Sequence, residues 1–133
     1  MSHKSKSKLY APTFCKFLLA VLDVDYSVDD IQQGRVPNDI LKSITPKMIV
    51  GYFNMACYGT TNPQETDYPK LKQSNTLLYW KKVISNYMMM SNSAWDEISK
   101  RGNPTKSKEV NYCIRCVMKA EVGKQGVGST DVH

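Results

Sequence analysis

Residues 74–90 read SNTLLYWKKVISNYMMM, and this stretch carries the longest helical pattern in the sequence. Its large apolar residues recur at spacings of three and four, which places them on one helix face: Leu77, Trp80, Val83, Ile84, Tyr87 and Met88. The polar residues between them point to solvent or to a partner: Lys81, Lys82, Ser85 and Asn86. Ser74 is well placed as the N-cap, since its hydroxyl can accept a hydrogen bond from a free amide in the first turn. We predict a helix around which the rest of the chain packs.

Three other segments carry helix signals. Residues 9–22 have the three–four apolar pattern, and Pro12 suits the first turn of a helix. Thr45 followed by Pro46 predicts a helix start, and Gly59 predicts its end. Ser107 is expected to cap a last helix, which Gly123 ends.

Shorter signals lie between these helices. The sequence Ser27-Val-Asp-Asp30 resembles a capping box and predicts a short helix over residues 28–33. Residues 35–43 are ambiguous, although Asn38 could cap one turn. Trp95 lies in an irregular stretch and is expected to drop into the core as a single anchor.

The pattern as a whole predicts an all-α protein. No alternation typical of a strand persists over five residues. We therefore expect a small four-to-five-helix bundle with main helices at roughly 11–22, 46–58, 75–90 and 108–122. Residues 1–8 are expected to form a disordered basic tail, residues 9–124 the helical domain, and residues 125–133 a flexible C-terminal tail.

The charge of the chain is unevenly distributed. The 133 residues carry a formal net charge of +6. Residues 1–69 hold seven basic and seven acidic residues, whereas residues 70–133 hold eleven basic and five acidic residues. A concentrated basic surface favours polyanions, most often nucleic acid, but it also fits a solvated face that keeps a protein soluble.

The sequence gives no signal for export or for a membrane. The longest apolar run, residues 17–22, is far too short to cross a bilayer, and the basic start lacks the apolar segment of a signal peptide. We expect an intracellular protein that is not secreted and has no membrane partner.

Catalytic and metal-binding sets are also missing from the sequence. The two histidines, His3 and His133, lie at the ends of the chain, so no base is apparent for a serine or cysteine nucleophile. Cys113 and Cys116 have ligand-like spacing, but no second pair accompanies them, and we interpret them as core residues. We expect no cofactor, no metal and no small-molecule substrate.

Basic residues accompany small polar residues in the second half of the chain. Long cations reach phosphate oxygens, and Ser, Thr or Asn at helix starts can add short hydrogen bonds. The residues that we select as nucleic-acid-binding candidates are Lys81, Lys82, Lys106, Lys108, Arg115 and Lys119.

Several motifs, taken in order, resemble one known family. They are residues 45–60 with Tyr58-Gly-Thr, residues 74–88 with Tyr79-Trp-Lys-Lys, Trp95, Gly102-Asn-Pro-Thr-Lys-Ser107, and residues 119–126. Together they resemble the N-terminal, core-binding half of Crypton-type tyrosine recombinases, which are eukaryotic transposon relatives of phage integrases. The resemblance covers roughly residues 44–128 and extends more weakly over residues 9–43.

The resemblance implies a SAM-like bundle that clamps one face of double-stranded DNA, in the nucleus, during DNA recombination and integration by a transposable element. In that family a separate C-terminal domain carries the catalytic residues. This chain ends at His133, where that domain would begin, and Tyr112 lies within the last helix of the bundle. We therefore expect DNA binding without enzyme activity, with self-association or a catalytic recombinase as partner.

Two questions stay open from the sequence. By family analogy the second and fourth main helices face DNA, whereas the charge pattern favours the third and fourth. The alternative to DNA binding is a helical protein–protein interaction domain, in which Tyr87 and Met88-Met-Met90 form an adaptable apolar surface.

Overall fold

Helices dominate the described part of the chain. The computed structural model describes the backbone of residues 2–132 and the side chains of residues 8–123. Over that backbone, two isolated β-bridges occur and no β-strand, which confirms the predicted all-α bundle. The helices are α1 (Ser2–Leu22), α2 (Val28–Gln32), α3 (Asn38–Lys42), α4 (Pro46–Tyr58), α5 (Ser74–Tyr87) and α6 (Lys108–Val132), with a 3-10 turn at Pro104–Lys106.

The four long helices enclose the core. Helix α1 packs against α2, α4 and α5, and α6 packs against α4 and α5. The predicted apolar face of α5 is confirmed, since Leu77, Val83, Ile84 and Met88 are buried, while Trp80 and Tyr87 are half-buried against the core. Aromatic rings join the helices: Phe14 stacks on Tyr87 with 4.4 Å between centroids, and the Tyr52 and Trp80 rings lie 5.0 Å apart.

Three predicted helix starts are confirmed. The Thr45 hydroxyl accepts the Met48 amide at 3.4 Å, and α4 ends at Gly59 in a left-handed conformation, φ 77°. The Ser107 hydroxyl accepts the Val110 amide at 3.2 Å. Ser27 and Asp30 form the reciprocal capping box of α2. Asn38 lies in the first turn of α3 and does not cap it, because Pro37 occupies the N-cap position.

Several predicted boundaries differ from those in the structure. Helix α1 begins at Ser2, so Pro12 lies inside the helix and not in its first turn. Helix α5 ends at Tyr87, because Met88 takes an extended backbone and turns its side chain into the core. Helix α6 continues to Val132, so Gly123 does not end it as predicted. The predicted tails at 1–8 and 125–133 fall almost entirely outside the residues whose side chains are described, so the domain division stays a prediction.

The prediction for Trp95 was wrong. Its side chain is half-buried, lies outside the core, and donates from Nε1 to the Glu97 carboxylate at 2.8 Å. The anchor of this loop is Asn103, which is fully buried. Its Nδ2 donates to the Ser85 hydroxyl at 2.7 Å and to the Ser91 carbonyl at 2.9 Å. The buried amide fixes the loop because each of its groups has a partner there.

Candidate nucleic-acid interface

Helices α5 and α6 run antiparallel and are joined at two points. At one point the Ser74 amide donates to Glu121 Oε2 at 3.2 Å, and the Ser74 hydroxyl donates to Glu121 Oε1. At the other, Lys81 Nζ donates to Asn111 Oδ1 at 2.7 Å. The prediction that Ser74 caps α5 was therefore wrong. Ser74 is the first residue of the helix, and the Glu121 carboxylate satisfies its free amide from the neighbouring helix.

Lys81 lies at the seam between α5 and α6. Its side chain is half-buried there, and Asn111 on α6 accepts one of its three protons. Burial lowers the pKa of the Lys81 ammonium, and the positive charge of Lys106 lowers it further. A phosphate placed here would relieve the repulsion between the two cations.

Lys106 belongs to the 3-10 turn that leads into α6. Its ammonium is exposed, and its backbone carbonyl accepts the Trp95 amide at 3.3 Å. The turn is packed against α4, α5 and α6, so Lys106 is held on a rigid support beside Lys81.

Three candidate cations lie along the exposed side of α6. Lys108, Arg115 and Lys119 are exposed, and they share a helix face with Asn111 because they are three or four residues apart in turn. At 1.5 Å per residue, this row extends about 16 Å from Lys108 to Lys119. Since Asn111 contacts Lys81, the row borders the seam with α5.

Lys82 completes the set on the outer side of α5, where it is exposed. Helix α5 contains no acidic residue. Of the acidic residues of α6 with described side chains, Glu109 lines a different cleft and Glu121 is bound by Ser74. In residues 8–123, no salt bridge involves any of the six candidates. The α5–α6 face, meaning the surface that bears these six cations, is therefore positively charged, and none of its cations is paired with a carboxylate of residues 8–123.

An ordered turn lies next to Lys106 and was missed as a structural unit. The Asp96 carbonyl accepts the amides of Lys100 and Arg101, and the Asp96 amide donates to the Arg101 carbonyl at 2.7 Å. Glu97 forms an ion pair with Lys100. The signal available in the sequence was Asp96, because an Asp side chain accepts the backbone amide two residues on; here Asp96 Oδ1 accepts the Ile98 amide at 3.1 Å, and Oδ2 accepts the Ser99 hydroxyl at 2.8 Å.

The α4–α6 cleft, which lies between α4, α6 and residues 61–67, is lined by acidic residues and thiols, unlike the basic α5–α6 face. Its volume is about 930 Å³, and its acidic residues are Glu65, Asp67 and Glu109. Cys113 lies there and donates to Asn54 Oδ1 at 3.4 Å. Among the described residues, no group of three or more His, Cys, Asp or Glu side chains could hold a metal ion.

The reactive groups in this cleft are not activated as nucleophiles. Burial raises the pKa of the Cys113 thiol, which lines this cleft, to about 12, and it raises the pKa of Cys57, which lies in the core nearby, to about 11. A hydrogen bond with Cys116 raises the pKa of the exposed Tyr112 hydroxyl. Raised pKa values leave these groups protonated at neutral pH, which disfavours nucleophilic attack.

Comparison with known proteins adds no family assignment: no protein-family model, curated protein or solved structure matches this chain. Across residues 2–132, no helix is both long enough and apolar enough to cross a membrane.

Proposed function

We propose that this protein is a DNA-binding module that resembles the core-binding half of a Crypton-type tyrosine recombinase. The observation that carries the proposal is the uncompensated α5–α6 face, on which six exposed or half-exposed cations lack acidic partners among the described residues. Phosphate contacts provide most of the affinity for duplex DNA, and lysine and arginine are the side chains that make them.

The face has a shape suited to a DNA backbone. The row on α6 extends about 16 Å, and Lys81 and Lys106 widen it at one end. A phosphate oxygen can replace Asn111 Oδ1 as the acceptor of the Lys81 proton, and the Asn111 Nδ2 group can then donate to the same phosphate. In this mode α5 and α6, the third and fourth long helices, face the DNA.

The proposed role excludes strand cleavage by this chain alone. Among the described residues, the Cys57 and Cys113 thiols keep their protons at neutral pH, which supports this role. The proposed setting is DNA recombination by a mobile element in the nucleus, with catalysis supplied by a recombinase partner. Incubation with nicked duplex DNA should give no covalent complex on a denaturing gel.

The test is fluorescence anisotropy of a labelled random-sequence duplex, titrated with the protein at several salt concentrations. Six phosphate contacts predict a slope of log K against log salt of about −5. In the variant Lys81/Lys82/Arg115/Lys119→Ala the slope should fall to about −2 and binding should weaken strongly.

A matched control removes the same charge from other surfaces. Lys8, Lys16, Lys42 and Lys47 are exposed on α1, α3 and α4, and replacing all four by Ala lowers the net charge equally. If DNA contacts the α5–α6 face, this control variant should keep a slope near that of the native protein. Equal losses in both variants would mean that only net charge matters, and the assignment of the face would be wrong.

The alternative function is protein–protein interaction without nucleic acid. The surface first predicted for it needs correction, because Tyr87 and Met88 pack into the core, whereas Met89 and Met90 are exposed. No DNA binding at low salt would favour this alternative.

A further inference from the structure

Four exposed apolar side chains line one cleft at the end of the bundle opposite the Asp96 turn. Tyr68 and Leu71 come from the segment that precedes α5, and Met118 and Val122 come from α6. Their exposed fractions are 55%, 64%, 43% and 65%. The cleft has a volume of about 750 Å³. Apolar side chains gathered in this way from two elements indicate a contact surface more strongly than single exposed residues do.

The walls of this cleft are fixed by hydrogen bonds to the bundle. The Leu71 amide donates to the Cys57 carbonyl at the end of α4, at 3.1 Å. The Ser74–Glu121 bonds hold the start of α5 against α6 just beyond it. A partner would therefore meet a preformed surface and would not have to order it.

The geometry of the apolar groups suits a helix. Met118 and Val122 are one turn apart on α6, so they form a short stripe parallel to the helix axis. A second helix lying along α6 would place its own apolar residues, spaced by three and four, against this stripe and against Leu71.

The positive charge around the cleft favours a partner that carries negative charge. Lys70 and Lys72 border the cleft on one side, and both are exposed. Among the described residues that line the cleft, the one acidic residue is Glu121, which is bound to Ser74 and half-buried. Carboxylates beside the apolar stripe of a partner would thus meet uncompensated lysines.

The same charges argue against a second copy of this chain. A symmetric dimer contact brings the same patch of both subunits together. Lys70 and Lys72 of one copy would then face the same lysines of the other across an apolar contact, where like charges are costly.

We propose that the Leu71–Val122 cleft, lined by Tyr68, Leu71, Met118 and Val122, binds an amphipathic helix with acidic flanks from a partner protein. This inference goes beyond DNA binding and does not depend on it, because the cleft uses none of the six cations of the α5–α6 face.

A displayed peptide library provides the test. Random peptides of about 16 residues, long enough for four helical turns, are selected on the full chain at moderate salt. A parallel selection uses the variant Leu71→Ser/Val122→Ser. Both side chains are mostly exposed, so this variant should keep its fold, as circular dichroism would check.

The expected result is enrichment, on the native chain alone, of peptides with apolar residues at helical spacing and with Asp or Glu beside them. The best peptide should bind Lys70→Glu/Lys72→Glu about tenfold more weakly, since two exposed attractions become repulsions. The matched control Leu19→Ser/Val28→Ser removes exposed apolar groups elsewhere and should leave the affinity unchanged.

Four results would overturn the inference. The first is equal enrichment on the native chain and on Leu71→Ser/Val122→Ser. The second is no enrichment on either, and the third is the selection of lysine-rich peptides. The fourth is a concentration-dependent dimer in sedimentation that Leu71→Ser/Val122→Ser abolishes, because a second copy would then cover the cleft. Loss of DNA binding by the α5–α6 variants has no bearing on these results, so the two proposals can fail separately.

Discussion

Single residues decide how the loop between α5 and α6 folds, and Gly102 is the most constrained of them. Its backbone has φ +105°, and a Cβ atom there would lie 2.2 Å from the Ala94 carbonyl oxygen. Gly102→Ala should lower the free energy of unfolding by roughly 3 kcal/mol or more, because backbone strain and a backbone clash add together. Urea denaturation measures the change.

The control for this substitution is another glycine. Gly51 lies within α4, and a Cβ atom there would meet only the Thr61 side chain, at 4.0 Å. Gly51→Ala should stabilise the protein by about 0.5–1 kcal/mol, since alanine is the better helix former. Changes of equal sign at the two positions would contradict the assigned role of Gly102.

Cys113 should make stability depend on alkaline pH. Its thiol would ionise near pH 9.0 in the unfolded chain, whereas burial keeps it protonated up to about pH 12 in the fold. Above pH 9.0 the folded state therefore binds more protons than the unfolded state, and stability falls as pH rises. Cys113→Ala should show a shallower decline in urea melts from neutral to alkaline pH. Parallel declines in the two proteins would count against this explanation.

The roles of many single residues could be predicted from the sequence, and each wrong prediction has a physical reason. Thr45, Ser107 and the Ser27–Asp30 box were found because capping depends on residues within four positions of each other. Ser74 was misassigned because the carboxylate that satisfies its amide is 47 positions away. Trp95 was misassigned because size alone suggested burial, whereas the buried anchor is the polar Asn103.

At the scale of helices, the contact between α5 and α6 depends on Glu121. Glu121→Ala removes the acceptor of both the amide and the hydroxyl of Ser74. The protein should lose about 1–3 kcal/mol of stability, since hydrogen bonds to a charged group are stronger than neutral ones. Differential scanning calorimetry would detect this loss as a lower Tm.

Glu65→Ala is the control for that experiment. Glu65 is exposed in the loop before α5, and its replacement should change stability by no more than about 0.5 kcal/mol. A Tm of Glu121→Ala equal to that of Glu65→Ala would show that the bond across the two helices contributes little.

The candidate site could be predicted in part because cations on one helix share a face by spacing alone. Lys108, Arg115 and Lys119 were grouped in that way, and α6 holds them in one row. The proximity of Lys106 to Lys81 could not be predicted, because it depends on how the 3-10 turn packs between α5 and α6. Whether DNA occupies this surface stays a prediction.

For the molecule as a whole, the net charge of +6 and the uncompensated α5–α6 face make stability depend on salt. Screening reduces repulsion among the cations, so Tm should rise between low and moderate salt while DNA affinity falls. Lys106→Gln should raise the free energy of unfolding by roughly 0.5 kcal/mol at low salt and should leave it unchanged at high salt. A stability that is independent of salt, or that decreases with it, would contradict this.

On a ribosome, the bonds between Ser74 and Glu121 impose an order on folding. Ser74 is synthesised 47 residues before its acceptor. Helix α5 thus leaves the exit tunnel with the amides of its first turn bound to water, and isolated helices of its length are marginal in water. The bonds that join the start of α5 to α6 therefore form only after the second half of α6 has emerged, whereas Lys81 can contact Asn111 earlier. The start of α5 is thus the last part of this helix pair to be secured during translation.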